Sequence, residues 1–192
     1  ASTNAIYKSN TDQGKAIGLF KTIMDTVARD KAGIAPLKPY LAKIDKINNI
    51  QDLQKVLVEM EPQFTSAFFG LRIGADKKDS NKNIVNISIG SLGLPDKDYY
   101  SSEDKDSKEK REKYQLHVAR MLQFIGESPE EAKINASKIV AFETVLSNPR
   151  LDRVERRDGR LQSNPMTIAD LQKLTPAIQW NSYFSDLGFK KL

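Results

Sequence analysis

FGLRIGADKKDSNKNIVNISI, residues 69–89, is the stretch that decides the fold. Its two ends alternate apolar and polar residues, and the eight residues between them, 76–83, are all polar. Alternation with a period of two is typical of β-strands, and a polar link between two such runs indicates a hairpin. The stretch therefore predicts an antiparallel hairpin with strands at Phe69–Ala75 and Val85–Ile89. A lone hairpin is marginal in water, so we expect it to pack on helices.

On both sides of this stretch, apolar residues recur at three- and four-residue spacing, as they do on one face of an α-helix. Gly33, Pro62 and Gly126 stand where three of these segments should end. The sequence thus predicts a mainly α fold, with about six or seven helices packed as one domain over residues 1–192 and a single two-stranded antiparallel hairpin. The helical segments are residues 11–30, 37–44, 53–60, 114–125, 128–148, 168–174 and 180–187.

Several helix starts carry capping residues. Ser128-Pro129-Glu130-Glu131 combines a capping serine, a proline in the first turn and acids at the positive end of the helix dipole. Thr167 with Asp170, and Asn49 with Asp52, have the spacing of reciprocal caps. The densest charged tract, residues 104–113, alternates in sign. It predicts the start of a solvated helix rather than a polyanion site, because opposite neighbours cancel the field.

The composition is that of an ordinary globular chain, with 39% hydrophobic and 29% charged residues. No apolar run approaches the roughly 20 residues that cross a bilayer. The 30 basic residues are interleaved with 25 acidic ones, so the net charge of +5 does not by itself indicate a nucleic-acid partner.

The inventory of catalytic side chains is small. The chain has no cysteine, which excludes disulfides and thiolate zinc sites, and its one histidine is His117. A catalytic zinc takes several ligands, and the position four residues after His117 is Met121. We therefore expect His117 to be a packed core residue, and the segment to bind no catalytic metal and cleave no peptide.

A second set of polar residues admits two interpretations. Asp96 and Asp98 follow Leu94-Pro95, where acids suit a helix start better than a cation site. Five arginines form the only basic cluster, but acidic residues lie between them, so an internal ion-pair network is favoured over a phosphate site. These arginines are Arg150, Arg153, Arg156, Arg157 and Arg160.

Three passages together resemble one family. The first is residues 69–80, followed by Leu92-Gly93-Leu94-Pro95-Asp96-Lys97-Asp98-Tyr99-Tyr100; the second is residues 139–146; the third is Arg156-Arg157-Asp158, followed by residues 164–167, Leu171 and Trp180. In this order they resemble the N-terminal region of the neprilysin and endothelin-converting-enzyme zinc metallopeptidases, close to the bacterial oligopeptidase members. The string around Gly93 is the specific element. Ser163 stands where the family often has tyrosine.

The resemblance implies that this chain is most of the non-catalytic helical domain of a zinc metalloendopeptidase. That domain would cover the active-site cavity and restrict substrates to peptides. Zinc would belong to the parent enzyme, with no cofactor in this segment, and the partners would be the catalytic domain of the same polypeptide and its peptide substrates, without nucleic acid. The expected location is the bacterial cell envelope, periplasmic or secreted, with the cytoplasm still open.

No catalytic, metal or cofactor residue transfers to this chain from the family. The matching positions are expected to be structural, with the turn around Gly93 and Pro95 packed on helices by its tyrosines and the arginine segment holding an irregular crossing. They are Gly93, Leu94, Pro95, Asp98, Tyr99, Tyr100, Phe142, Glu143, Arg156, Arg157, Asp158, Asn164, Met166 and Thr167.

Two other classes stay open from the residues alone. A stand-alone helical binding module for protein or nucleic acid is the main alternative, and an independent enzyme is a third. A domain with a missing partner should expose apolar side chains beyond the usual patch size. The candidates near the chain ends are Phe20, Trp180, Tyr183, Phe184 and Phe189.

Overall fold

The computed structural model describes residues 8–63 and 67–189. The chain divides into two compact units, Ala1–Ala42 and Lys43–Leu192. Both are mainly helical, and the described residues contain one two-stranded sheet. The predicted fold class, mainly α with a single hairpin, is confirmed.

The first unit begins with two helices, α1 (Asp12–Met24) and α2 (Thr26–Ala32). A 3-10 turn at Ala35–Leu37 then leads into α3 (Lys38–Ile44), which crosses the boundary between the units. The prediction of one helix over residues 11–30 is wrong, because Asp25 ends α1 and caps α2 by accepting a 2.9 Å hydrogen bond from the Ala28 amide.

The described residues of the second unit form the hairpin and six further helices. Its elements are α4 (Ile50–Met60), a 3-10 turn (Glu61–Gln63), β1 (Phe69–Ala75), β2 (Asn83–Ile89), α5 (Asp98–Ser101), α6 (Lys105–Phe124), α7 (Pro129–Ser147), a 3-10 turn (Glu155–Arg157), α8 (Ile168–Leu174) and α9 (Trp180–Asp186).

The described residues thus form nine α-helices, where six or seven were predicted. One addition is the break at Asp25. The other is α5, whose four residues are too few to show a helical period in the sequence.

The local start signals operate as predicted. Ser128 forms a complete capping box with Glu131 at the start of α7, and Asp104 caps α6 by accepting from the Ser107 amide at 2.9 Å. Thr167 accepts from the Asp170 amide, and Asn49 accepts from the Asp52 amide. Each cap satisfies one backbone donor that the first helical turn leaves free.

The hairpin has the predicted antiparallel pairing, with β2 beginning two residues earlier than predicted. Phe69 faces Ile89, Leu71 faces Ile87 and Ile73 faces Val85. Directly opposed residues lie on one face of a sheet. One face of the hairpin is therefore almost wholly apolar.

The larger core is built from α4, the hairpin and α9. Its centre consists of Leu57, Trp180, Tyr183 and Phe184, and the Phe69 ring lies tilted against Trp180 with 5.2 Å between the ring centroids. Hydrogen bonds also join α4 to the start of α9. The side chain of Gln54 accepts from the Gln179 amide at 2.8 Å and donates to the Gln179 carbonyl.

A smaller core lies where α6 packs on α7. Ala119, Ala132 and Ala136 are buried there, with Val118 and Leu122 beside them. Small side chains at the contact allow the two helices to approach closely.

The terminal aromatics do not behave as one exposed set. Phe20 is 52% exposed, as expected, but Trp180, Tyr183 and Phe184 are buried and Phe189 is half-buried against Phe184. The expectation of exposure is wrong for α9, because these aromatic rings form the larger core.

Candidate functional site

The turn between β2 and α5 carries the most specific of the family-like motifs. It passes through Gly93 and Pro95 and ends where α5 begins at Asp98. At Gly93 the chain comes so close to α6 that an added Cβ would lie 1.8 Å from the Tyr114 hydroxyl oxygen. No side chain fits this gap, so glycine is required by space rather than by backbone angle.

Glu143 of α7 holds this turn with both carboxylate oxygens. The Gly93 amide donates to Oε1 at 3.0 Å, and the Tyr100 hydroxyl donates to Oε2 at 2.9 Å. The same hydroxyl accepts from the Leu94 amide at 2.8 Å. A charged acceptor for two donors makes these stronger than ordinary hydrogen bonds. We call Gly93, Leu94, Tyr100, Tyr114 and Glu143 the turn knot.

Both tyrosines of the turn knot are held in their neutral form. Burial, aided by the nearby Glu143 carboxylate, raises the pKa of Tyr100 to about 12. The same two causes raise the pKa of Tyr114. A phenol that stays protonated can donate to the carboxylate, so the knot is electrostatically stable at neutral pH.

Asp96 anchors the irregular segment that follows α7. Its nearly buried carboxylate binds Arg153 at 2.8 Å and also binds Arg156. We call these three residues the Asp96 clamp. It fixes the 3-10 turn at Glu155–Arg157 to a point about sixty residues earlier in the chain.

Three further cationic side chains hold the turn between β2 and α5 and the residues on either side of it. Arg150 donates to the Gly90 carbonyl at 2.8 Å, and Lys97 donates to the Arg150 carbonyl at 2.9 Å. Arg111 of α6 donates to the carbonyls of Tyr99 and Ser102, each at 2.8 Å. These carbonyls belong to turn and helix-end residues, which have few backbone partners of their own.

The remaining motif residues lie apart from the turn knot. Phe142, Arg157 and Met166 are exposed, and Asp98 is exposed on α5. The Arg157 side chain makes no hydrogen bond or ion pair with any described residue.

Three motif residues act locally. Asp158 pairs with Arg160 at 2.7 Å, Asn164 donates to the Leu161 carbonyl, and Thr167 caps α8. The hydrogen bonds from Arg160 lower the pKa of Asp158. None of these contacts brings reactive groups together.

The histidine prediction is wrong. His117 is exposed on α6 rather than packed in the core. On α6, Ser107 and Ala119 are buried and Val118 is partly buried beside Ala119. His117 immediately precedes Val118, so its side chain lies on a different side of the helix.

The arrangement positions backbone and does not form a reactive centre. Among residues 8–63 and 67–189, no group of three or more His, Cys, Asp or Glu side chains is placed to hold a metal. In the same ranges, no helix is long and apolar enough to cross a membrane.

Sequence reasoning missed part of this site. Tyr114 was read only as one position of an apolar helix stripe, and Arg111 only as part of a charged tract. Asp96 was quoted in the motif but was not expected to bind the arginines. The sequence offers one signal, which is Gly93 itself, because glycine is used both in turns and where another group approaches the backbone closely.

Comparison with known proteins shows which family this chain is similar to. Residues 2–191 match the N-terminal profile of peptidase family M13. Endothelin-converting enzyme 1 of Cavia porcellus is 29% identical over 195 residues, which cover 97% of this chain and 26% of that protein. The human enzyme is 33% identical over 143 residues, covering 74% of this chain and 18% of that protein.

Solved structures agree. The Mycobacterium tuberculosis zinc metalloprotease Zmp1, crystallised with an inhibitor, superposes with a TM-score of 0.84 at 31% identity, covering 97% of this chain and 28% of Zmp1. PepO from Lactobacillus rhamnosis HN001 shares the fold, with a TM-score of 0.76 at 18% identity over 89% of this chain and 27% of PepO.

The chain spans about a quarter of the length of these relatives. The predicted resemblance to neprilysin-like and endothelin-converting enzymes is confirmed: this chain belongs to peptidase family M13, as part of its N-terminal region.

Proposed function

We propose that this chain is most of the non-catalytic helical domain of a zinc metalloendopeptidase. It covers the active-site cavity and admits peptides while excluding large folded proteins. The zinc and the catalytic residues belong to another part of the same polypeptide, which is the chain's main partner. The family membership of residues 2–191 is the observation that carries this proposal.

The structural neighbours support a domain that moves as a body. Zmp1 is described both in complex with an inhibitor and in an open state. The present chain superposes on both with the same TM-score of 0.84 over 97% of its length. A segment with the same internal fold in both forms is what closure by a preformed lid requires.

The turn knot and the Asp96 clamp suit such a role. They connect β2, α5, α6, α7 and the segment after α7 through charged acceptors and backbone groups. A lid acts sterically, because it limits the size of what enters and excludes bulk water. Such an action requires a rigid segment but no reactive side chain. The contacts of the turn knot and the Asp96 clamp make this segment rigid.

The location that suits this function is the bacterial cell envelope, periplasmic or secreted. The alternative of a stand-alone binding module receives no support from the fold. The arginine cluster, which was the basis for a polyanion site, has Arg153 and Arg156 bound to Asp96 and Arg160 bound to Asp158.

Size selectivity tests the proposal in the full-length peptidase that carries this chain. The kcat/KM for a short peptide is compared with that for the same cleavage site within a long unfolded chain and within a folded protein. We expect efficient cleavage of the short peptide only. Equal kcat/KM for all three substrates would contradict a lid.

Closure is tested by distance. The chain has no cysteine, so Lys138→Cys on exposed α7 gives one attachment point for a spin label in this segment. A second label is placed on the catalytic part of the polypeptide. We expect an active-site inhibitor to shorten the distance between the labels, whereas an unchanged distance would show that this domain does not close.

A further inference from the structure

The two edges of the hairpin differ in how their backbone groups are satisfied. The Gly90 amide donates to the Phe68 carbonyl, and the Asp76 amide donates to the Lys82 carbonyl. These two hydrogen bonds at the ends of the hairpin show which residue pairs of the ladder are hydrogen-bonded. Residues with even numbers between them bond across the hairpin. The amides and carbonyls of odd-numbered residues therefore point outward, away from the partner strand.

The outer edge of β1 is partly occupied. The outward amide of Leu71 donates to the Glu61 carboxylate at 2.9 Å, and exposed Arg72 follows it in sequence. A bound carboxylate and a neighbouring charge are devices by which proteins protect an edge strand.

The outer edge of β2 has no such protection. The outward amides of Val85, Ile87 and Ile89 have no hydrogen-bond acceptor among the described residues. Residues 83–95 contain no charged side chain at all. A long uncharged edge strand is a template for another strand.

The side chains along this edge indicate what such a strand would bring. On the face that also carries Leu71 and Val85, Ile87 of β2 is 40% exposed and Ile89 is 64% exposed. Their neighbours Leu71 and Val85 on that face already pack against the larger core. A third strand beside β2, with apolar residues at alternate positions, would continue this apolar face and pack against Ile87 and Ile89.

We propose that the outer edge of β2 receives a third strand, uncharged and apolar at alternate positions, from another part of the same polypeptide. This rests on the proposed function, in which the chain is one part of a longer peptidase. In the relatives, about three quarters of the length lies outside the matched region, and a third strand could come from that part of the polypeptide. A strand from the same polypeptide is always present at high effective concentration.

Amide hydrogen exchange measures the edge directly. In the 192-residue chain, the Val85, Ile87 and Ile89 amides should exchange almost unprotected, while those of Asn86 and Ser88, which face β1, should be protected. In the full-length polypeptide we expect the first three to slow by about a hundredfold or more, as for amides in a sheet interior. Unchanged exchange there overturns the proposal.

A proline substitution provides the second measurement. Ile87→Pro removes an outward amide and none of the hydrogen bonds between β1 and β2, and proline is tolerated at such edge positions. It should leave the melting temperature of the 192-residue chain nearly unchanged and lower that of the full-length polypeptide, whereas the control Ile87→Val should affect both slightly and equally. Equal effects of Ile87→Pro in both proteins overturn the proposal.

Self-association is distinguished by concentration. If the three amides become protected in the 192-residue chain as its concentration rises, and gain nothing more in the full-length polypeptide, the edge pairs with a second copy and the proposal is wrong. The two proposals can fail separately. Equal cleavage of short and long substrates would contradict the lid but would leave the exchange of the β2 amides unchanged.

Discussion

A single carboxylate, Glu143, accepts hydrogen bonds from a backbone amide and a phenol that lie about fifty residues earlier in the chain. Removing this acceptor leaves the partly buried Tyr100 hydroxyl unpaired, which costs more than its hydrogen bond contributes, and also releases the exposed Gly93 amide. The stability of the turn therefore depends on this residue more than on any exposed ion pair nearby.

We expect Glu143→Ala to lower the free energy of unfolding by about 2–4 kcal/mol, and Glu143→Gln by roughly half as much because the amide keeps one acceptor. Urea unfolding followed by circular dichroism measures both. Glu112→Ala, on the exposed side of α6, serves as the control and should change the value by less than about 0.5 kcal/mol. An equal effect of Glu112→Ala and Glu143→Ala would show that the carboxylate does not hold the turn.

The contact between Gly93 and Tyr114 gives a second prediction. Gly93→Ala places a methyl group on the phenol and should destabilise the chain by about 1–3 kcal/mol, in the range of overpacked sites. In a Tyr114→Leu background the clash is gone, so the same substitution should cost clearly less. Gly159→Ala is the control, since a Cβ there meets nothing within 4 Å. Additive effects at Gly93 and Tyr114 would be evidence against direct contact.

At the scale of elements, the segment between α7 and α8 has little apolar packing to fix its path. Its 3-10 turn is held locally by Asp152, whose carboxylate accepts from the Val154 and Glu155 amides, both at 2.7 Å. It is held at long range by the Asp96 clamp. The sequence predicts that Arg157→Ala lowers the melting temperature, but the structure assigns the long-range ion pairs to Arg153 and Arg156.

We therefore expect Asp96→Asn and Arg156→Ala each to lower the stability by about 1 kcal/mol, because the aspartate is nearly buried while the arginines are half in solvent. Arg157→Ala should have no measurable effect. Melting temperatures at low and high salt provide the check, and the effect of Arg156→Ala should shrink as salt screens the pair. A larger loss with Arg157→Ala than with Arg156→Ala would restore the original prediction.

The elements show which parts of the fold can be predicted from the chain. The hairpin and the caps of α6, α7 and α8 depend on residues within a few positions of each other, so their patterns are visible in the sequence. The turn knot and the Asp96 clamp join residues about fifty to sixty positions apart. The spacing of apolar and polar residues along the chain does not show which carboxylate will pair with which arginine. α9 was misjudged for the same reason, since burial of its aromatics depends on α4 and the hairpin.

At the scale of the whole molecule, buried phenols determine the response to alkaline pH. Burial, with a smaller effect from Glu61, raises the pKa of Tyr183 to about 12, and Tyr100 is raised to a similar value. An unfolded tyrosine ionises near pH 10. The stabilisation is therefore fully present below about pH 10 and is lost as the pH rises from there through about 12.

Tyr183→Phe removes one of these ionisations. We expect the stability of this variant to decline less steeply above pH 10 than that of the unsubstituted chain. Denaturant unfolding at a series of pH values, with tyrosinate absorbance, measures this. Identical pH profiles would mean that Tyr183 does not contribute to alkaline unfolding.

The reciprocal hydrogen bonds between Gln54 and Gln179 connect residues 125 positions apart. On the ribosome, where synthesis proceeds at about 5–20 residues per second, α9 emerges roughly 6–25 s after α4. The α6–α7 pair can close during that interval, since its contacts lie close together in sequence. Leu57 and the apolar face of the hairpin must wait for Trp180. The nascent chain therefore passes through a stage with one core formed and the other open, when its uncharged strand β2 is most accessible to chaperones and to neighbouring chains.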